Sequence, residues 1–267
     1  MNIRQLFLFC FSLLLAGSAA GHEYWLQPAT FFPVAKENFT VRLYVGEGLQ
    51  KHRQERQYQP GKTTTFKLFT DTAVRDLKPG MKSGAAPIRA LAIDGSGTAL
   101  LAMARNWSYI KLDAAKFEAY LREEGMEYII AERVKFGESG KPGRERYSRF
   151  IKSVLQVGDM QDDAYKKSTG FKLDIVPLEN PYAKKIGDSL TLQILFDGKP
   201  LAKRMAFAES VAGAIQSLTS DADGKVTMTI NHAGMHLVRV VVMQRCASDC
   251  GDADWESYWG ALTFAAK

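Results

Sequence analysis

The sequence predicts a mainly β protein with one helical insertion. Apolar and polar residues alternate with a period of two over many short segments, and Gly, Pro, Asn and Asp separate these segments. One stretch near the middle has helical periodicity instead. The predicted organisation is a β-sandwich region over 22–112, a helical insertion or connector over 113–170, and a second β region over 171–267.

Strand patterns begin early in the first β region. Residues 39–45 alternate apolar and polar side chains, and we expect Gly46 and Gly48 to end this strand. Residues 63–69 repeat the pattern. Two half-buried strands are therefore predicted here.

A turn signal follows in the same region. The segment Asp94-Gly-Ser-Gly lies between two apolar runs at 90–93 and 99–104. We expect the two runs to pair as a β-hairpin.

The middle of the chain changes to helical spacing. We expect Asp113 to cap the start of a helix and Gly125 to end it in a left-handed turn. The apolar residues at helical spacing between them are Phe117, Tyr120 and Leu121.

Residues 144–155 fit two structures. Tyr147, Ile151 and Leu155 lie on one helical stripe, whereas Ile151 and Val154 also suit a strand. The arginines of this stretch form either a solvated face or a site for an anion or a partner.

The strand pattern returns after residue 170. The predicted strands cover residues 171–176, 189–196, 225–230, 235–243 and 258–265. We expect turns at Asp197-Gly198 and at Asp221-x-Asp223-Gly224; the latter lacks the remaining oxygen ligands of a calcium loop. The regular spacing of short strands and turns indicates an immunoglobulin-like β-sandwich.

The first 21 residues have the pattern of a cleavable secretion signal. Arg4 precedes an apolar run over 6–16, and Ala19 and Gly21 are the small residues that signal peptidase requires. The mature protein is therefore expected in the periplasm with His22 as its first residue; a cut after Ala20 would leave Gly21 in front. No later run is long enough to span a bilayer, so we expect no permanent membrane anchor.

Two cysteines follow the predicted signal, Cys246 and Cys250. Export implies an oxidising compartment, and cysteines four residues apart in a loop can close a small disulfide ring, which is the favoured interpretation. A thiolate metal pair is the alternative.

Composition limits the function further. Hydrophobic residues make up 46% and charged residues 24% of the chain, and its formal net charge is +6. No block rich in Lys and Arg occurs, so we expect no nucleic-acid partner. The sequence contains no nucleophile elbow, zinc-protease motif or phosphate-binding glycine loop, so we expect no enzyme.

The expected histidine at the mature N-terminus suggests a metal site. Its α-amine and imidazole can chelate one ion together, which no internal histidine can do. The candidate metal ligands are His22, Glu23, His232 and His236, and Glu47 is a further source of a carboxylate oxygen. His232 and His236 also fit structural roles in a strand and its turn. His52, within a polar run, is expected to face solvent.

Several strings resemble a bacterial periplasmic family known as a nickel- or cobalt-uptake substrate-specific component. They are HEYWLQP (22–28), LYVGE (43–47), YLREEG (120–125), RERYSR (144–149), IVPLENP (175–181), FDGKP (196–200) and YWGALTF (258–264). The resemblance covers nearly the whole mature chain. It implies an exported protein with immunoglobulin-like β domains, a transition-metal ion as ligand, nickel or cobalt before copper or zinc, and a membrane transport component as partner.

A binding module without metal is the alternative function. Such a module of the cell envelope would recognise carbohydrate or protein through Trp25, Trp107, Trp255 and Trp259. Tryptophans of this kind also serve as core residues.

Overall fold

The computed structural model describes residues 22–267, so the predicted signal peptide and Cys10 lie outside the described residues. The described chain is mainly β, as predicted. Its strands are β1 (Glu23–Pro28), β2 (Phe39–Glu47), β3 (Lys51–Arg56), β4 (Thr63–Phe69), β5 (Val74–Asp76), β6 (Arg89–Leu91), β7 (Gly97–Leu112), β8 (Gly143–Val157), β9 (Leu173–Pro177), β10 (Ser189–Phe196), β11 (Lys199–Pro200), β12 (Met205–Ser210), β13 (Ile215–Thr219), β14 (Lys225–Thr229), β15 (Gly234–Arg245) and β16 (Trp255–Ala266). Its α-helices are α1 (Ala114–Glu123) and α2 (Glu127–Lys135).

An eight-stranded sheet forms the centre of the fold, in the order β13-β12-β15-β16-β8-β7-β4-β5. Neighbouring strands are antiparallel except β16 and β8, which are parallel. Strands from both predicted β regions enter this sheet, and β8, from the predicted connector, joins them. The two β regions therefore share one central sheet.

Both faces of the central sheet are covered. In β7, Leu101 and Met103 belong to one core cluster, whereas Leu100 and Ala102 belong to another on the opposite face. The first face carries the small sheet of β1, β2, β3 and β6, and beside it the two helices; the second face carries the sheet of β9, β10, β11 and β14. Burial on both sides explains why β16 is apolar along most of its length.

The helices cover the C-terminal end of β15 and the N-terminal end of β16. Phe117, Tyr120 and Leu121 of α1 pack with Trp255 and Trp259 of β16 in a third core cluster. The predicted helix is thus confirmed, and Gly125 ends it with a φ of +69°. Asp113 is at the N-cap position, but its side chain makes no capping hydrogen bond, so that part of the prediction was wrong.

Seven predicted strands are confirmed within a few residues. They correspond to β2, β4, β9, β10, β14, β15 and β16. Residues 144–155 are strand β8, the second of the two structures that their pattern fits. The turns are confirmed as well: Asp197 and Gly198 both have positive φ, and Gly224 N donates to the Asp221 carbonyl oxygen at 3.1 Å.

The predicted hairpin around Asp94 is wrong. Strand β6 pairs with β2 in the small sheet, whereas β7 pairs with β4 and β8 in the central sheet. Residues 99–104 are buried on both faces, and a strand of that kind belongs in a sheet covered on both sides. The Asp162 carboxylate also fixes the start of β7, because Oδ1 accepts from Thr98 N at 3.0 Å.

Most of the tryptophans lie in the core. Trp25, Trp255 and Trp259 are buried, and Trp107 is partly buried against the second face of the central sheet. Among the helices of residues 22–267, none is long and apolar enough to cross a membrane.

Candidate functional site

The start of strand β1 lies where the small sheet ends and the helices begin. Strand β1 packs on β8 and β16, and Thr263 Oγ1 donates to the Leu26 carbonyl oxygen at 2.8 Å. Here the first face of the central sheet carries charged side chains instead of apolar ones. Arg239 shows this, since Leu237 and Val241, its neighbours on the same face of β15, belong to the core.

His22 lies at this boundary beside Glu47. Its Nε2 is 3.6 Å from Glu47 Oε1, and the two side chains are 39% and 34% exposed. The His22 carbonyl oxygen accepts a hydrogen bond from Arg149 Nη2 at 3.2 Å. The backbone of His22 is therefore fixed, while its imidazole is accessible and faces a carboxylate.

Glu23 has a different environment from that of His22. It is buried, with Oε1 2.9 Å from Arg239 Nη1 and Oε2 accepting from Gly48 N at 2.8 Å. Both carboxylate oxygens thus have partners within the fold. This residue connects β1 to the central sheet.

Two further carboxylates lie around Arg239. Glu124, at the end of α1, pairs with Arg239, and burial raises the pKa of Glu124 to about 7 although Arg239 opposes the shift. Burial also raises the pKa of Glu209, whose Oε2 accepts from Leu49 N at 2.8 Å. Glu23 and Glu124 are thus paired with the Arg239 guanidinium, and Glu209 interacts with it electrostatically over a longer distance. We call Glu23, Glu124, Glu209 and Arg239 the acidic cluster.

A second buried carboxyl, Glu145, lies under the helices. Its Oε1 accepts from the Tyr120 hydroxyl at 3.1 Å and from the Ser257 hydroxyl, and Ser257 Oγ in turn accepts from Trp259 Nε1 at 3.0 Å. Burial raises the pKa of Glu145 to about 7, although these hydrogen bonds oppose the shift.

His236 lies on the other face of the central sheet from His22. His236 is buried and stacks on Phe264 at 5.2 Å, and its Nδ1 is 3.1 Å from the Gly234 carbonyl oxygen. Phe264 belongs to the core on the second face of the central sheet, whereas Glu23 lies on the first. Burial lowers the pKa of His236, and His232 is exposed.

The structure thus does not bring the four candidate ligands into one site. His22 and Glu23 lie at one face of the central sheet, and His236 at the other. His52 is exposed on β3, as predicted. Within residues 22–267, no three His, Cys, Asp or Glu side chains are grouped to hold one metal ion.

The arginines of β8 do not form one solvated face. Arg144 is exposed and pairs with Asp254, whereas Arg146 is buried and pairs with Glu256 at 2.5 Å. Arg149 is buried beneath His22. Alternation places Arg149 on the opposite side of the strand from Arg144 and Arg146. Arg146 is buried because Trp107 packs on its guanidinium, which also donates to the Asp249 carbonyl oxygen.

The disulfide between Cys246 and Cys250 is present in the structure. It lies in the loop that connects β15 to β16. The favoured interpretation of the two cysteines is therefore confirmed, and the alternative, a pair of thiolate metal ligands, is wrong.

Sequence reasoning did not assign Arg239, Glu124 or Glu209 to a site. Their association arises from β12, β15 and the end of α1, which are distant in the sequence. One local signal existed: Arg239 interrupts an otherwise apolar run from 237 to 243, and a charge in a buried strand requires a partner.

Fold and site together define a mainly β protein with the acidic cluster at the point where its first strand meets the central sheet. Residues 19–244 match the family described as a domain of unknown function (DUF4198), and the chain belongs to that family. No curated protein matches the chain.

Proposed function

We propose that the chain is an exported periplasmic binding protein that captures or passes a transition-metal ion at its mature N-terminus. Nickel and cobalt are the favoured ions, because of the sequence resemblance, ahead of copper and zinc. The observation that carries the proposal is the approach of Glu47 Oε1 to His22 Nε2 at 3.6 Å.

The position of Glu47 suits an N-terminal chelate. A carboxylate near Nε2 favours the proton on that nitrogen and leaves Nδ1, the ring nitrogen nearer the backbone, as the ligand. Cleavage after Gly21 would add the α-amine of His22 as a second ligand on the same residue. Glu47 then acts as a positioning residue for the imidazole.

The backbone around His22 supports the same proposal. Arg149 fixes the His22 carbonyl oxygen, and Glu23 is held by Arg239 and Gly48 N. A ligand residue held in place loses less conformational freedom when it binds. Glu23 and His236 stabilise the fold in this proposal, and neither contributes a ligand to the metal at His22.

We also propose an immunoglobulin-like arrangement for the C-terminal β region. Strands β9, β10 and β14 are antiparallel and stack face to face on β12, β15 and β16 across one apolar core. Face-to-face packing of antiparallel sheets is the architecture of such sandwiches.

Metal analysis of protein purified from the periplasm tests the function. We expect an intact mass that begins at His22 and about one equivalent of nickel or cobalt per chain after incubation with the ion and removal of excess. A chain that begins at His22 and retains no ion would contradict metal capture. A mass that begins at Gly21 or earlier would remove the amine from the proposed chelate.

A further inference from the structure

Two buried arginines lie side by side on the central sheet. Arg105 of β7 and Arg149 of β8 are directly opposite each other in the antiparallel register, and they are 8% and 9% exposed. We call them the arginine pair. Burying two like charges next to each other lowers the stability of the fold unless opposite charges or hydrogen-bond acceptors compensate them.

Each arginine of the pair has a donor in use and a donor without a partner. Arg105 Nη2 donates to Gln59 Oε1 at 2.7 Å, and Arg149 Nη2 donates to the His22 carbonyl oxygen at 3.2 Å. Arg105 Nη1 and Arg149 Nε are buried and have no hydrogen-bond partner. Buried donors of charged groups usually have one.

No carboxylate compensates the arginine pair. Across residues 22–267, neither guanidinium is within 4.0 Å of an Asp or Glu oxygen, and residues 1–21 contain no acidic residue. Elsewhere on the same sheet the buried Arg146 pairs with Glu256, and Arg239 pairs with Glu23. Glu145 acts on Arg149 only over a longer distance, and its Oε1 accepts from the hydroxyl groups of Tyr120 and Ser257.

Aromatic rings border the arginine pair. The Tyr24 ring centroid is 5.3 Å from Arg105 Cζ and 4.1 Å from Arg149 Cζ, and the Tyr147 ring is 4.5 Å from Arg149 Cζ. Ring faces compensate part of the charge but leave in-plane N–H groups without an acceptor. Tyr24 and Tyr147 are both partly exposed, so the rings that border the arginine pair are part of the protein surface.

We propose that Arg105 and Arg149 form a binding site for an oxyanion, the carboxylate or phosphate group of a small solute. Directly opposite residues of an antiparallel pair have Cβ atoms about 5 Å apart, so one oxyanion can accept from both side chains. Guanidinium groups bind carboxylate and phosphate with strong charge-assisted hydrogen bonds. The site does not depend on the metal proposed at His22.

Calorimetric titration of metal-free mature protein tests the site. The probes are acetate, citrate and inorganic phosphate, each in a buffer that contains chloride, and comparison of the three separates carboxylate from phosphate. We expect saturable binding of at least one probe with one site per chain. Arg105→Gln and Arg149→Gln should each weaken it at least about tenfold, because each loses a charge-assisted donor. Arg75→Gln, an exposed arginine of β5 in the same sheet, is the matched control and should bind as the wild type does.

Lysine variants cover the case in which the glutamine variants do not fold. Arg105→Lys and Arg149→Lys keep the charge but lose the planar donor geometry, and we expect intermediate weakening of anion binding. Absence of saturable binding of all three probes by wild-type protein would overturn the proposal. Wild-type affinity in the folded arginine variants would overturn it as well. Because the protein carries no metal in this experiment, either result leaves the metal proposal untouched.

Discussion

Glu23 Oε1 is 2.9 Å from Arg239 Nη1, and this ion pair connects the first strand to the central sheet. Both side chains are largely removed from water, and Glu23 also accepts a hydrogen bond from Gly48 N. A buried charge whose partner is removed is strongly destabilising. The pair is therefore a structural link that holds the segment carrying His22.

Glu23→Ala should lower the free energy of unfolding by about 3 kcal/mol, the lower end for a broken buried pair, because Arg239 keeps Glu124 as a partner. Urea unfolding measures the change. The control is Glu55→Ala, which removes an exposed pair with Arg42 and should cost less than about 1 kcal/mol. Equal losses in the two variants would show that Glu23 has no special structural role.

Lys152 and Asp174 form a second buried pair, with Nζ 2.5 Å from Oδ1, and Thr169 donates to the other Asp174 oxygen. Lys152→Met leaves a buried carboxylate without its cation, and we expect a loss of about 3–5 kcal/mol in unfolding free energy. The double variant Lys152→Met, Asp174→Leu should recover most of that loss, because neither charge remains. A double variant as unstable as the single one would contradict this account.

Stability should depend on pH through Glu124 and Glu145. Burial raises the pKa of each to about 7 from a reference value of 4.5, so between these values the folded protein holds more protons than the unfolded chain. The free energy of unfolding should therefore fall as pH rises from about 5 to 8, by about 2–3 kcal/mol for Glu145 alone.

Unfolding curves of Glu145→Gln over the same pH range provide the check. The glutamine oxygen still accepts from Tyr120 and Ser257 but does not titrate, so the decline with pH should be smaller than in the wild type. Superimposable pH profiles of the two proteins would exclude Glu145 as a source of the dependence.

The disulfide should contribute modestly to stability. Its ring is short, so the entropy that it removes from the unfolded chain corresponds to about 2 kcal/mol. Cys246→Ser should still fold, with that loss measured by urea unfolding. Two free thiols, found after alkylation of protein isolated from an oxidising compartment, would refute the bond.

Local patterns were sufficient to predict much of this fold. Strand β10 and helix α1 follow directly from periods of two and 3.6, because each buries one face against a single layer. Helix α2 was not predicted, since Val134 is exposed and only Ile129 and Arg133 are buried, which leaves a weak apolar stripe. Strand β8 fitted two structures because it buries charged residues, among them Arg146 and Lys152, whose carboxylate partners lie in distant strands.

The site was harder to predict than the strands. The sequence pointed to His22 through the signal peptide and offered Glu47 as a source of a carboxylate oxygen, but no local pattern showed that strand β2 places Glu47 beside His22. Nor could spacing show that His236 faces the other side of the central sheet, because that depends on which sheets cover each face. Both the position of Glu47 and the face occupied by His236 depend on the pairing of strands that are distant in the sequence.

The most direct test of the proposed function is calorimetric titration of mature protein with nickel and with cobalt. The variants are His22→Ala, which keeps the amine, and a protein with one glycine added before His22, which keeps the imidazole but moves the amine. We predict about one bound ion for the wild type, at least about tenfold weaker binding for both variants, and unchanged binding for the exposed control His52→Ala. Glu47→Gln should also weaken binding, about 10–100-fold, as expected for a residue that orients a ligand. Equal affinities of the wild type and both N-terminal variants would contradict a ligand role for His22.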